Sequence, residues 1–168
     1  IQQVAPLLKE GWDDTTIESL FKIYNHQGVK NIMPDLPPFT SGKLLDALAK
    51  HWNWRGIQQV APLLKEGWDD TTIDSLKSNF NYNGVQEMMS KLPPYASGAL
   101  VDSLSKKLNY RGAVEVAELL KQGWDASTLR GFMNNFNYLG MKELMPKFPA
   151  KTSLPCLRYK YMLYSGNA

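Results

Sequence analysis

The stretch Ile1–Ile17, IQQVAPLLKEGWDDTTI, occurs again unchanged at Ile57–Ile73, and a looser copy, AVEVAELLKQGWDASTL, follows at Ala113–Leu129. The step from Ile1 to Ile57 equals the step from Ile57 to Ala113. A chain that repeats itself at a fixed spacing is constrained to a self-similar array, because whatever one copy does its neighbours must be able to do as well. Single positions reveal a period of half that length. Asn25, Asn53, Asn81, Asn109 and Asn137 recur at equal intervals, and Gly28, Gly56, Gly84, Gly112 and Gly140 each stand three places further on. Two further series keep the same phase: Asp13, Ser41, Asp69, Ser97, Asp125 and Ser153, and the apolar Ile17, Leu45, Ile73, Val101, Leu129 and Leu157. Units opened by Asp therefore alternate with units opened by Ser.

Each unit reads as two short helices. The Asp or Ser is an N-cap, its side-chain oxygen accepting a backbone N–H that the helix start leaves unpaired. Behind it, apolar residues fall at spacings of three and four: Ile17, Leu20, Tyr24; Leu45, Leu48, Trp52; Ile73, Leu76, Phe80; Val101, Leu104, Leu108; Leu129, Phe132, Phe136. That spacing makes one helical face. Asn ends the first helix and can cap the second, which carries Val85, Met88, Met89, Leu92 or Ala113, Val116, Ala117, Leu120. The second helix is expected to run to Lys-Glu-Gly-Trp or Lys-Gln-Gly-Trp in one unit type and to Leu-Pro-Pro in the other, since Gly and Pro terminate helices. Helices of about 9 to 12 residues are marginal alone in water and must bury their faces on neighbours.

The expected fold class is accordingly all-α: an α-solenoid of 28-residue helix–loop–helix units with a 56-residue super-period. The array covers 1–150, with units near 1–12 (partial), 13–40, 41–68, 69–96, 97–124 and 125–152. Residues 151–168 are expected to add a C-terminal capping helix, with Leu157, Tyr161 and Tyr164 at helical spacing. Ile1 falls inside the second helix of a unit, so the chain reads as a piece of something longer. The Asn-linked glycines admit two readings: a close crossing of the paired helices, in which Gly84→Val or Gly112→Val destabilises strongly, or a turn with φ > 0. Trp12, Trp68 and Trp124 are expected to staple neighbouring hairpins.

Little in the chain suggests chemistry. No cofactor, metal site or catalytic residue is expected. His26 and His51 are the only histidines, and no His/Cys/Asp/Glu group has metal-ligand spacing. His26 occupies the slot filled elsewhere by Trp54, Tyr82, Tyr110 and Tyr138 and reads as a partly buried structural ring; His51 reads as a surface residue. The lone Cys156 forms no internal disulfide and points to a reducing compartment. Asp13-Asp14 and Asp69-Asp70 resemble paired carboxylates, but helix starts account for them. No apolar run approaches membrane-spanning length, so no membrane insertion is expected. A formal charge of +3 neither demands a polyanionic partner nor forbids one.

The residue before each Asn-linked glycine changes from unit to unit: Gln27, Arg55, Asn83, Arg111, Leu139. With the neighbouring Trp54, Tyr82, Tyr110 and Tyr138 these are the candidate partner-contact positions, placed by this reading in the inter-helix loops. The aromatics admit two roles, a stacking surface or rings packed between units. A changing residue held before a fixed glycine between two helices resembles the layout of transcription-activator-like-effector repeats, and tandem helical hairpins resemble tetratricopeptide and pentatricopeptide arrays. The first resemblance implies one DNA base per repeat, although Leu139 cannot hydrogen-bond a base edge. Arrays of short hairpins imply a non-catalytic scaffold for a protein or peptide, or a part of a larger assembly. The near-identical copies suit a repetitive partner, or record a recent duplication. The alternative partner is DNA or RNA, held by Arg55 and Arg111 with Lys50, Lys77 and Lys106 as a basic stripe.

Overall fold

A computed structural model describes residues 4–150. Those residues are all-helical, with no strand among them. Ten α-helices follow one another within this range: α1 (Asp14–Ile23), α2 (His26–Ile32), α3 (Gly42–His51), α4 (Trp54–Val60), α5 (Asp70–Asn79), α6 (Tyr82–Lys91), α7 (Gly98–Lys107), α8 (Tyr110–Ala117), α9 (Ala126–Asn135) and α10 (Tyr138–Leu144). Short 3-10 turns lie at Ala5–Leu7, Ala61–Leu63 and Met145–Lys147. The expected capping helix, Ser153 and Cys156 lie outside the described residues.

The helix starts are made by side chains. Asp13, Asp69 and Asp125 accept the backbone N–H of Thr16, Thr72 and Thr128. Ser41 and Ser97 accept those of Leu44 and Leu100. Each even-numbered helix opens on Asn25, Asn53, Asn81, Asn109 or Asn137, whose Oδ1 takes the N–H of the glycine three places on at 2.8–2.9 Å. Paired helices are separated by an extended residue such as Tyr24 or Phe80 and then by the Asn cap.

Packing joins alternate helices. α1 packs on α3, α3 on α5, α5 on α7 and α7 on α9, while α2 packs on α4, α6 on α8 and α8 on α10. The buried apolar side chains form one core that includes Leu45, Leu48, Ile73, Leu76, Val101, Leu104, Leu129 and Phe132. Each such side chain contributes roughly 1.5–3 kcal/mol. Among the glycines, the closest approaches to another segment's backbone lie where a Ser-capped helix meets the Asp-capped helix before it. A Cβ at Gly42 would stand 2.6 Å from the Thr15 carbonyl oxygen, and one at Gly98 would stand 2.6 Å from that of Thr71.

The structure decides between the two readings of the Asn-linked glycines. None has φ > 0; positive φ occurs at Gly11, Gly67 and Gly123, at +100°, +103° and +90°. What crowds the Asn-linked glycines is the connection and, at Gly84 and Gly112, a tyrosine that opens the next even-numbered helix. A Cβ at Gly56 would meet Trp52 Cδ1 at 2.8 Å, and one at Gly84 would meet Asn81 Oδ1 and Tyr110 Cε2 at 3.2 Å.

α2, α4 and α8 stop earlier than expected, whereas α6 reaches Lys91, directly before Leu92-Pro93-Pro94, as expected. α2, α4 and α10 end before Pro34, Pro62 and Pro146, whose rings cannot sit in a helix interior. α6 has Ser90 at that position and runs on to Lys91, whereas α8 ends at Ala117 without a proline. The Gly-Trp segments therefore lie beyond the helices, and there they act as clamps. The indole Nε1 of Trp12, Trp68 and Trp124 donates to the carbonyls of Pro37, Pro93 and Pro149 at 2.9, 2.9 and 3.1 Å. Beside each indole a lysine donates to two further carbonyls: Lys9 to Pro34 and Leu36, Lys65 to Ser90 and Leu92, Lys121 to Pro146 and Phe148. Each ammonium also lies 5.7–6.0 Å from the neighbouring indole centroid.

Candidate functional site

The variable positions are helical. Because Asn is the N-cap, the two residues after it occupy the first turn of the even-numbered helices rather than a loop. Gln27, Arg55, Asn83, Arg111 and Leu139 are all exposed there, Leu139 by 71 % of its surface. The aromatics in front of them divide. Trp54 and Tyr138 are half-buried and packed on the core. Tyr82 and Tyr110 are exposed by 37 % and 40 %.

The packing role weighed for the aromatics is present. The Tyr110 ring leans on the first turn of α6, close to Gly84, and meets Phe80 edge-on with centroids 6.5 Å apart. Tyr138 leans in the same way toward Gly112, 3.5 Å from where its Cβ would lie. Its hydroxyl donates to Glu115, which also pairs with Lys142 at 2.5 Å. The Lys142 and Tyr138 hydrogen bonds hold the Glu115 carboxyl below its ordinary range, and the Glu115 contact pushes the Tyr138 hydroxyl up. Successive first turns are thus brought edge to edge by the rings themselves. Between α7, α8 and α10 this leaves an open cleft of about 370 Å³, lined by Lys107, Arg111, Glu115 and Tyr138 among others.

Three cations of the expected basic stripe, Arg55, Lys77 and Lys50, have local partners. Arg55 stacks on Trp54, 5.1 Å from the ring centroid, and Lys77 lies 5.6 Å from that of Trp52. Lys50 stands 3.5 Å from Asp74. Asp74 also takes a 2.6 Å hydrogen bond from His51, which together with Lys50 lowers its pKa. His51 is therefore half-buried and paired, not a free surface residue, and it meets Trp52 edge-on. His26 departs from expectation in the opposite sense: it is exposed, as are Tyr82 and Tyr110 at the equivalent position. His51 and Asp74 share no sequence pattern, so their pairing between α3 and α5 is visible only in the structure.

Among the described residues no group of three or more His, Cys, Asp or Glu could hold a metal ion, and no helix is long and apolar enough to cross a membrane. Comparison with protein-family models, with curated proteins and with solved structures returned no match.

Proposed function

We propose that the chain is a tandem array of 28-residue helical hairpins, an α-solenoid, that serves as a non-catalytic scaffold and binds a protein or peptide along the first turns of its even-numbered helices. One observation carries this reading. Tyr82, Tyr110 and Leu139 are exposed in equivalent first turns, each held in place by an Asn cap and a buried or half-buried neighbour. Large exposed side chains on a rigid frame lose little entropy on binding, and Tyr, Trp and Arg are the residues that dominate interface energies. The units at 13–40, 41–68, 69–96, 97–124 and 125–152 would then present one contact turn each. The mixed charge of the cleft, with Glu115 beside Arg111, suits a polypeptide better than a polyphosphate backbone.

The second reading, a nucleic-acid partner, draws on Arg55 and Arg111, both exposed at equivalent positions of the two Ser-opened units. One experiment separates the two. The chain is panned against a displayed random-peptide library and titrated with mixed-sequence oligonucleotides at low and at physiological salt. Selected peptides whose binding is lost in a Tyr82→Ala, Leu139→Ser variant of unchanged melting temperature support the scaffold. Peptides that bind this variant as well as the parent overturn the proposed row. Oligonucleotide binding that falls steeply with salt and is lost on Arg55→Ala, Arg111→Ala replaces it with the second reading.

A further inference from the structure

Five first turns share one frame, and one of them holds a cation without a counterpart. Arg111 is exposed in the first turn of α8 and makes no hydrogen bond, ion pair or ring contact among the described residues. Its equivalents are Gln27, Asn83 and Leu139, which carry no charge, and Arg55, which lies on the Trp54 ring. Lys107, at the end of α7, donates to the Asn134 side-chain oxygen and meets no carboxylate among the described residues. Both cations line the cleft of about 370 Å³ between α7, α8 and α10. Glu115 is the one carboxylate in that lining, and its Oε2 is already taken by the Tyr138 hydroxyl and the Lys142 ammonium. We infer that this cleft binds the carboxylate of an aspartate or glutamate side chain on a peptide, with the Arg111 guanidinium as its main donor and Lys107 beside it. The inference rests on the peptide-scaffold reading and names the group that one of its turns selects.

The cleft stands between two units packed on each other, α8 on α10, with the Tyr138 ring of the second already seated toward Gly112. Its walls are therefore in place before a ligand arrives. Its surplus charge is positive, because Lys142 balances Glu115 and leaves Arg111 and Lys107 unbalanced. A guanidinium in that state pairs with a carboxylate through two parallel hydrogen bonds, a geometry that fixes orientation as well as charge. These cations do not recur along the array. The counterparts of Lys107 are Ile23, His51, Asn79 and Asn135, of which His51 is held by Asp74 and Asn79 by Asp102. A polyphosphate backbone needs cations at successive units, whereas one acidic side chain needs a single site. A dianionic phosphate would also stand beside the Glu115 carboxylate. Tyr82 and Leu139 are exposed in the first turns on either side, so a peptide along the row crosses the cleft with its middle and offers a side chain there. The preceding unit supplies a control within the molecule: Asn79, Asn83, Glu87 and Tyr110 repeat the frame without a cation.

The test titrates the full chain with two pools of capped, amidated random-sequence peptides, one with glutamate fixed at the centre and one with glutamine. Backbone and side-chain resonances are followed. The expected result is saturable shifts at Arg111, Lys107 and Tyr138 with the glutamate pool only, weakened by added salt. Arg111→Gln, which alters an exposed side chain without a partner, should leave the melting temperature unchanged and weaken binding of the glutamate pool about tenfold. Equal shifts with the glutamine pool overturn the inference, as does the absence of shifts with either pool at millimolar concentration. Inorganic phosphate that shifts these residues at lower concentration than the glutamate pool overturns it too, assigning the cleft to phosphate. So does tighter binding of a pool whose sole carboxylate is its C-terminus, which assigns the cleft to a chain end. Failure of the scaffold reading has its own signature: Arg111 shifts that survive Tyr82→Ala, Leu139→Ser keep the cleft and remove the row. Peptides that need Tyr82 and Leu139 but ignore Arg111→Gln keep the row and remove the cleft.

Discussion

At Gly98 a β-carbon would lie 2.6 Å from the carbonyl oxygen of Thr71 and 2.9 Å from the Ser75 hydroxyl. A backbone carbonyl inside a helix cannot step aside, so even one methyl group forces α5 and α7 apart. Gly98→Ala is expected to destabilise by about 1–3 kcal/mol, the usual cost of overpacking a tight contact. Gly140 makes the opposite case. Its β-carbon would stand 3.3 Å from the Asn137 cap and 3.4 Å from Phe136 Cβ, with room for small adjustment. The better helix propensity of Ala, worth roughly 0.8–1 kcal/mol, offsets the crowding there, and Gly140→Ala should melt close to the parent. Chemical denaturation of the two variants measures the contrast, and equal losses would refute it. The caps beside these glycines are legible in the sequence, because Asp, Ser and Asn act within three residues of themselves. The importance of Gly42 and Gly98 is not, because their crowding partners, Thr15 and Thr71, belong to the preceding unit and meet them only through packing.

The clamps work at the scale of elements. The Lys65 ammonium and the Trp68 indole reach carbonyls at the end of α6 and just beyond it, at Ser90, Leu92 and Pro93. Carbonyls at a helix C-terminus have no partner of their own and carry the negative end of the helix dipole. A lysine there serves both needs, and partial burial lowers its pKa. Lys65→Met, which keeps the apolar stem and removes the donor, should cost about 1 kcal/mol. Trp68→Phe should cost more, because burial is lost along with a bond. The double variant should lose less than the sum, since both side chains secure the same segment. Strict additivity in thermal denaturation would mean that they act separately. A tryptophan recurring at a fixed place in the sequence suggests a staple, and the clamps match it. The same reading extends most second helices too far along the chain: Pro62 breaks α4 before the Gly-Trp turn begins, and Pro34 and Pro146 break α2 and α10.

At the scale of the whole molecule, five carboxylates among the described residues titrate in one direction. Hydrogen bonds from the Thr15, Thr71 and Ser127 hydroxyls, with support from backbone N–H groups, lower the pKa of Asp13, Asp69 and Asp125. Asp74 and Glu115 are lowered chiefly by His51 and Lys142. A carboxyl with a depressed folded-state pKa binds its proton more readily in the unfolded chain. Its contribution is therefore complete above the ordinary carboxylate range, near pH 4, and disappears as the pH falls through the folded-state value. The melting temperature should decline below about pH 4. The triple variant Asp13→Asn, Asp69→Asn, Asp125→Asn should flatten that decline in part while leaving neutral-pH stability nearly unchanged, because Asn caps as well as Asp. An identical acid profile would show that the caps do not govern it. Sequence by itself determined the local part of this protein: helical class, the caps, the apolar faces and the positions left variable, all of which depend on neighbours within one turn. Tertiary structure alone decided which face each helix turns to another, that Gly42 and Gly98 meet Thr15 and Thr71, and that His51 meets Asp74. Those outcomes depend on which segments lie side by side in space, and a residue's own sequence neighbourhood carries no record of that.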